Sequence, residues 1–355
     1  MENAHMKKQD RKITLKTVSV VIPAFNEQDT IQATINSILN QTHHIKQIIV
    51  VDDCSTDRTK EFAAKYVGIQ IITTSKNTGK KAQAQNYALP YVKSDIVITI
   101  DADTTLAPDA INQLVKAFDK DPELFSACGF VLPRRIKSVW ERGRYIEYLF
   151  GLTINKRIQA EYGTILVCSG CLSAFNTKKL KAYGGFRDLS CVEDMDLTWL
   201  AYLNGERIIY IPKAICYPVE PQNFSIYKGQ VHRWYVGFFE CLKIHWRDLL
   251  KFKKPMLSVF VLTGLLEGLL IFPAILYTLI RYGSFQLATI VILFDLLVIS
   301  IPALLKGWRI GRLKLTTKSI FCYMFTRYVN LYLFYRAFVF ELILQRKLTI
   351  WEKGH

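Results

Sequence analysis

Between residues 18 and 131 the chain alternates between short, nearly continuous apolar runs and stretches of helical length. The runs are VSVVIPAF (18–25), QIIVVDD (47–53), IQIITT (69–74), DIVITID (95–101) and FSACGFV (125–131). Unbroken Val/Ile-rich runs spaced in this way predict parallel strands buried on both faces of an α/β sheet. Three of them end in polar residues: Asn26-Glu27, Asp52-Asp53 and Asp101-x-Asp103. Open α/β sheets bind ligands beyond the carboxyl ends of their strands, so these side chains are expected around one crevice.

Downstream the pattern changes. Residues 133–159 turn basic and aromatic and are read as a helical segment near a membrane surface. In 222–254, Phe224, Tyr227, Val231, Trp234, Phe238, Leu242 and Leu249 recur at helical spacing, with Lys228, Arg233, Lys243, Arg247 and Lys251 between them. That is the pattern of a basic amphipathic helix lying in the membrane interface, and equally of a core helix with one solvated face. Segments 256–280 and 285–305 hold one charge each, Glu267 and Asp295. Each is long enough to cross a hydrocarbon core of roughly 30 Å. The linker 306–319 is rich in Lys and Arg and holds no acid, which puts it on the cytoplasmic side. Segment 320–344 is apolar but carries Arg327, Asn330, Arg336 and Glu341, and is read as a third span. Glu267 and Asp295 fall near mid-depth and are expected to pair with Arg336. The organisation expected is a basic tail (1–16), a cytoplasmic α/β domain (17–221), an interfacial helix (222–254), a membrane region (255–345) and a C-terminal tail (346–355).

Composition sharpens this picture. Half of the 355 residues are hydrophobic and the net charge is +16, which excludes a disordered chain. From Met256 onward there are 11 basic and 4 acidic residues. A basic surface beside apolar segments suits membrane lipids and an anionic substrate such as a nucleotide. Nucleic acid is not expected as a partner, because no zinc-finger, RNP or basic-zipper pattern occurs. Cys168 and Cys171 form a CxxC without a second pair at zinc-site spacing, so the eight cysteines read as buried thiols on a reducing side of the membrane. The N-terminus lacks the apolar core of a signal peptide, which agrees with a cytoplasmic first domain.

The candidate chemistry is a set of acids. A hard divalent cation takes oxygen ligands and leaves positions for phosphates. Asp101 and Asp103, at the end of a buried strand, are suited to that task, although aspartates also end strands as turn residues. Glu193 and Asp194 open the helical stretch MDLTWLAYLNG. There a carboxylate either caps the helix or serves as general base toward a sugar hydroxyl.

The ordered motifs VSVVIPAFNE (18–27), VVDDCSTD (50–57), GKKAQAQN (79–86), TIDADT (99–104), SGCLSAF (169–175), VEDMDLTW (192–199) and QVHRW (230–234) carry a resemblance. The chain resembles the membrane-associated family 2 glycosyltransferases of GT-A fold. Its motifs are most similar to those of poly-N-acetylglucosamine synthases, NodC-type synthases and other processive β-glycosyltransferases. The resemblance implies a Rossmann-like mixed sheet and an inverting transfer from a UDP-sugar donor to a glycan or lipid acceptor. It also implies residue roles. Pro23, Ala24, Asn26, Glu27, Asp52 and Asp53 would line the nucleoside pocket. Asp101 and Asp103 would meet the diphosphate and Mg²⁺ or Mn²⁺, and Arg233 the diphosphate. Asp194 would be the general base beside Glu193, and Gln230 and Trp234 would face the acceptor. GKKAQAQN departs by one residue from the commoner pattern, which leaves open whether Lys80 or Lys81 meets a phosphate. Val192 stands where many members have Thr. At most three spans follow the domain, too few for one copy to enclose a channel, so partner subunits or a homo-oligomer enter the picture. Transfer of a single sugar to a lipid, as in ceramide glucosyltransferases, is the alternative activity. A non-catalytic nucleotide-binding membrane subunit is the alternative class.

Overall fold

Val18, Val20 and Ile22 pack on one side of a central sheet and Val21 on the other, which is why their run is apolar almost throughout. The single polar residue among them, Ser19, is buried and donates to Gln47 Oε1 at 2.9 Å. The same two-residue alternation divides Ile49 and Val51 from Ile48 and Val50, and Val97 from Ile96 and Ile98. The computed structural model describes residues 16–282 and 285–345. The sequence-defined tails lie outside the described residues, apart from Lys16.

Eight strands form one mixed sheet: β1 (Val18–Ala24), β2 (Gln47–Asp52), β3 (Ile69–Thr73), β4 (Ile96–Thr99), β5 (Thr105–Leu106), β6 (Ser126–Val131), β7 (Ser173–Asn176) and β8 (Ile208–Tyr217). Their order is β3-β2-β1-β4-β7-β6-β8-β5. All five strands predicted from sequence are present. β1 to β4 pair in parallel, and β6 runs in the same direction, separated from β4 by the antiparallel β7. Three strands escaped the pattern. β5 has two residues, β7 hides in the SGCLSAF motif, and β8 is broken by Pro212 and a register shift opposite Gly129. At Gly129 any Cβ would collide with the Ala214 carbonyl oxygen, so the close strand approach requires glycine.

The helices are α1 (Ile31–Leu39), α2 (Thr59–Ala63), α3 (Lys81–Ala88), α4 (Ala110–Lys120), α5 (Val139–Phe150), α6 (Lys156–Glu161), α7 (Thr177–Ala182), α8 (Glu193–Leu203), α9 (Phe224–Leu250), α10 (Pro255–Tyr282), α11 (Phe285–Arg309) and α12 (Leu313–Phe338). Ile35 of α1 and Leu114 and Phe118 of α4 fill one layer against the sheet; Ala84 of α3 and Leu197 and Trp199 of α8 fill the other. The chain moves outward from β1 through β2 to β3, then returns to β4 on the opposite side of β1. That reversal opens a crevice at the carboxyl ends of β1 and β4.

Helix α5 starts with a capping box, Ser138 with Glu141, and lies against α12, where Gly143 leaves room for Thr326. Helix α9 is enclosed by α8 and α12. Tyr227, Val231, Val236 and Phe239 are buried, and the Tyr227 hydroxyl donates to Asn330 Oδ1 at 2.6 Å. Among its basic residues Lys243 pairs with Glu341 of the short π-helical turn after α12. Among the described residues two helices, α10 and α11, are long and apolar enough to cross a membrane; α12, with Lys314, Lys318, Arg327 and Arg336, is not one of them. Glu267 and Asp295 pair with Arg327, at 2.7 and 3.1 Å, and not with Arg336. Nine residues of helix put Arg336 roughly 14 Å farther along the axis, beyond the reach of both acids.

Candidate active site

The loop after β1 turns at Asn26, whose backbone is left-handed (φ 55°), a conformation Asn tolerates better than most residues. Its N–H donates to Ser55 Oγ (3.0 Å) and its Oδ1 accepts from the Thr56 N–H (2.8 Å), tying the β1 loop to the β2 loop. Glu27 is buried and accepts from the Thr30 hydroxyl at 2.5 Å. At the end of β2, Asp53 accepts from the Thr74 hydroxyl (2.8 Å), the Thr78 hydroxyl (2.8 Å) and the Thr78 N–H (3.0 Å). Asp52 accepts from the Ser55 N–H at 3.3 Å.

Lys80 and Lys81 diverge at the start of α3. Lys80 reaches outward to Asp188 (2.5 Å), whereas the Lys81 ammonium turns inward onto Asp101 and lies 3.7 Å from Glu193 Oε1. Burial opposes a charge on Lys81, but Asp101, Glu193 and Asp194 outweigh it and raise its pKa. Burial raises the Asp101 carboxyl, which Lys81 counteracts and Asp103 and Asp194 reinforce. Burial likewise raises Glu193, against Lys81 and with Asp194. Several acids thus share one ammonium. Asp194 is held by two backbone donors, Gly170 N–H on Oδ2 and Met195 N–H on Oδ1, both at 2.8 Å.

From α9, Arg233 donates through Nη1 to the Cys191 carbonyl (3.1 Å), while its buried Nε has no hydrogen-bond partner among the described residues. Gln230 Oε1 accepts from Arg144 Nη2 (3.3 Å), and the Arg144 guanidinium lies 4.5 Å from the Trp234 ring centre.

These elements enclose a cavity of about 340 Å³. Of the predicted residues, Pro23, Ala24, Glu27, Asp53, Lys81, Asp101, Asp103, Glu193, Asp194, Gln230, Arg233 and Trp234 line it. Asn26, Asp52 and Lys80 lie behind or beside its wall. Sequence reasoning missed Tyr148 and Glu220 on the wall and Arg144 behind it. The only signals were an acid between prolines ahead of the QVHRW motif and a basic-aromatic stretch read as membrane surface.

Among the described residues no three His, Cys, Asp or Glu side chains form a ready-made metal cage. The donor set still fits a hard cation shared with a ligand, because Mg²⁺-type sites take one or two carboxylates and complete their shell with water and phosphate. Asp101 and Asp103 provide two carboxylates, and Asp101 already holds a cation, the Lys81 ammonium.

A doubly wound mixed sheet with acids at its switch point is the arrangement of the GT-A fold. Residues 19–184 match the model of glycosyl transferase family 2. Poly-beta-1,6-N-acetyl-D-glucosamine synthase of Staphylococcus aureus (strain MSSA476) is 28% identical over 266 residues, 74% of this chain and 64% of that protein. The synthase of the same name from Staphylococcus epidermidis is 29% identical over 248 residues, 69% of this chain and 60% of that protein. The chain therefore spans less than two thirds of these relatives. Among solved structures, a mannosyltransferase from Pyrobaculum calidifontis in complex with GDP-Man and Mn²⁺ shares the fold. It matches with a TM-score of 0.63 at 18% identity, over 93% of this chain and 88% of that one.

Proposed function

We propose that the enzyme transfers GlcNAc or Glc from a UDP-sugar to a growing β-linked polysaccharide, inverting the anomeric centre, with its catalytic domain at the cytoplasmic face of the cell membrane. The observation that carries this reading is one cavity, lined by Asp103, Arg233 and Trp234, in which Asp101, Glu193 and Asp194 surround the Lys81 ammonium. The name shared by the two staphylococcal relatives supports the choice of product.

The acceptor hydroxyl passes its proton to Asp194 as its oxygen bonds to the anomeric carbon. The bond to UDP breaks in line, and UDP leaves with the electron pair. A positioned carboxylate assists such a proton transfer by roughly 10²–10⁴-fold. Asp194 is anchored by two N–H groups, so its orientation costs little to maintain. Lys81 and Arg233 neutralise the departing diphosphate, Arg233 through the Nε that has no partner among the described residues. Glu27 and Asp53 take the nucleoside side of the cavity, on loops braced by Asn26 and Asp52. Asp101 and Asp103 would hold Mg²⁺ or Mn²⁺ with the diphosphate, a cation that when bound supplies Lewis-acid neutralisation of the leaving group. Trp234 offers an apolar face to the acceptor ring.

A panel of UDP-sugars incubated with the membrane-embedded enzyme, with products sized by mass spectrometry, tests the reading. The expected product is a ladder of β-linked oligomers. UDP binding without turnover of any sugar would refute it and favour the non-catalytic subunit. Chelation should stop transfer and Mg²⁺ or Mn²⁺ restore it. A second reading is transfer of one sugar to a lipid. It is favoured by the direct packing of α12 on α9 and α5, which joins the cavity wall to the apolar helices. A single glycolipid in place of the ladder would select it.

A further inference from the structure

Glu220 follows β8 and lies on the cavity wall, 2% exposed. Its Oε2 is 3.4 Å from Arg144 Nε, but neither atom makes a hydrogen bond among the described residues. Arg144, also buried, sits behind the wall and is held by Glu147 at 2.7 Å. From there it donates to Gln230 and packs over Trp234. One guanidinium thus sets the positions of three cavity-lining groups: an acid, an amide and an indole. Tyr148 completes the patch beside Glu220.

The donor's diphosphate is disfavoured at this patch, because the Glu220 carboxylate repels it and the cation beside it, Arg144, is already engaged by Glu147. It suits a neutral polyol with an apolar ring face. The indole covers the ring, and planar side-chain oxygens take the hydroxyl hydrogens. We propose that Glu220 is a specificity-determining hydrogen-bond partner for a hydroxyl of the acceptor sugar, and that Arg144 is the positioning residue that holds Glu220, Gln230 and Trp234 in one frame. The assignment rests on the polysaccharide reading above.

The test uses the full-length enzyme in membranes, with oligosaccharide acceptors each lacking one hydroxyl. For wild type, one deoxy acceptor should lose at least about tenfold in kcat/KM, because its absence strands a buried polar group. In Glu220→Met, which keeps the length but offers no oxygen acceptor, that same deoxy acceptor should be handled within about threefold of the parent sugar. UDP affinity, measured by calorimetry, should stay within about twofold and reports that the variant is folded. Glu220→Asp, which keeps the charge and shortens the reach, serves the same purpose should the Met variant fail to fold. Arg144→Lys should weaken the same discrimination. Equal discrimination in wild type and both Glu220 variants overturns the assignment alone. A wild type that transfers to no saccharide overturns the polysaccharide reading, and the assignment falls with it.

Discussion

Two adjacent lysines show how one helical step separates roles. Lys81 enters the acid cluster and Lys80 meets Asp188 at the rim. Lys81→Met is expected to lower kcat/KM for the donor at least tenfold, and Lys80→Met much less. The reverse ranking in steady-state kinetics would transfer the role. Asp194→Asn should abolish transfer while UDP affinity stays near wild type, as calorimetry would show; near-normal turnover would remove it as the base. Glu220 supplies a pH signature. Burial raises its pKa to about 7, with Arg144 and Tyr148 opposing and Asp103 and Glu147 adding to the rise. The unfolded chain gives up this proton near 4.5, so wild-type stability falls as pH climbs from there to about 7, by on the order of 3 kcal/mol. Glu220→Gln should flatten that part of the pH–stability curve, measured as thermal midpoint. The acids were legible from sequence because they end apolar strands. Arg144 and Glu220 were not, since their importance lies in contact across 76 positions of chain.

At the scale of elements, α8 carries the proposed base and α9 the groups proposed to meet phosphate and acceptor, so their relative position is part of the candidate site. A buried cluster fixes it. Asp196 accepts from Arg187 Nε (2.8 Å) and lies 2.9 Å from His245 Nε2 of α9. Gly237 completes the fit, since a Cβ there would strike Val192 at the mouth of α8. Gly237→Ala is therefore expected to cut transfer severely, beyond tenfold, while the circular dichroism spectrum stays unchanged. Full activity would show that α8 has room to shift. The strands were readable because burial on both faces leaves a continuous apolar run, whereas β8 alternates and is interrupted by Pro212. The role of α9 was only half readable, because Arg and Trp at helical spacing serve lipid head groups and diphosphates equally well.

Over the whole molecule, α12 links the two halves. It holds α10 and α11 through Arg327 and the cavity walls through Thr326 and Asn330. Arg327→Met leaves Glu267 and Asp295 without their cation and should lower the thermal midpoint in detergent by several degrees. An unchanged midpoint would show that the triad contributes nothing. The shared helix has another consequence. Arg144 on α5 and Trp234 on α9 both belong to elements seated on α12, so any tilt that α12 shares with its apolar neighbours is expected to reach the Trp234 end of the cavity before the Asp53 end. In the proposed membrane setting, bilayer thickness is then expected to act on the proposed transfer. In vesicles of short-chain and long-chain lipid, oligomer length should change while donor affinity does not.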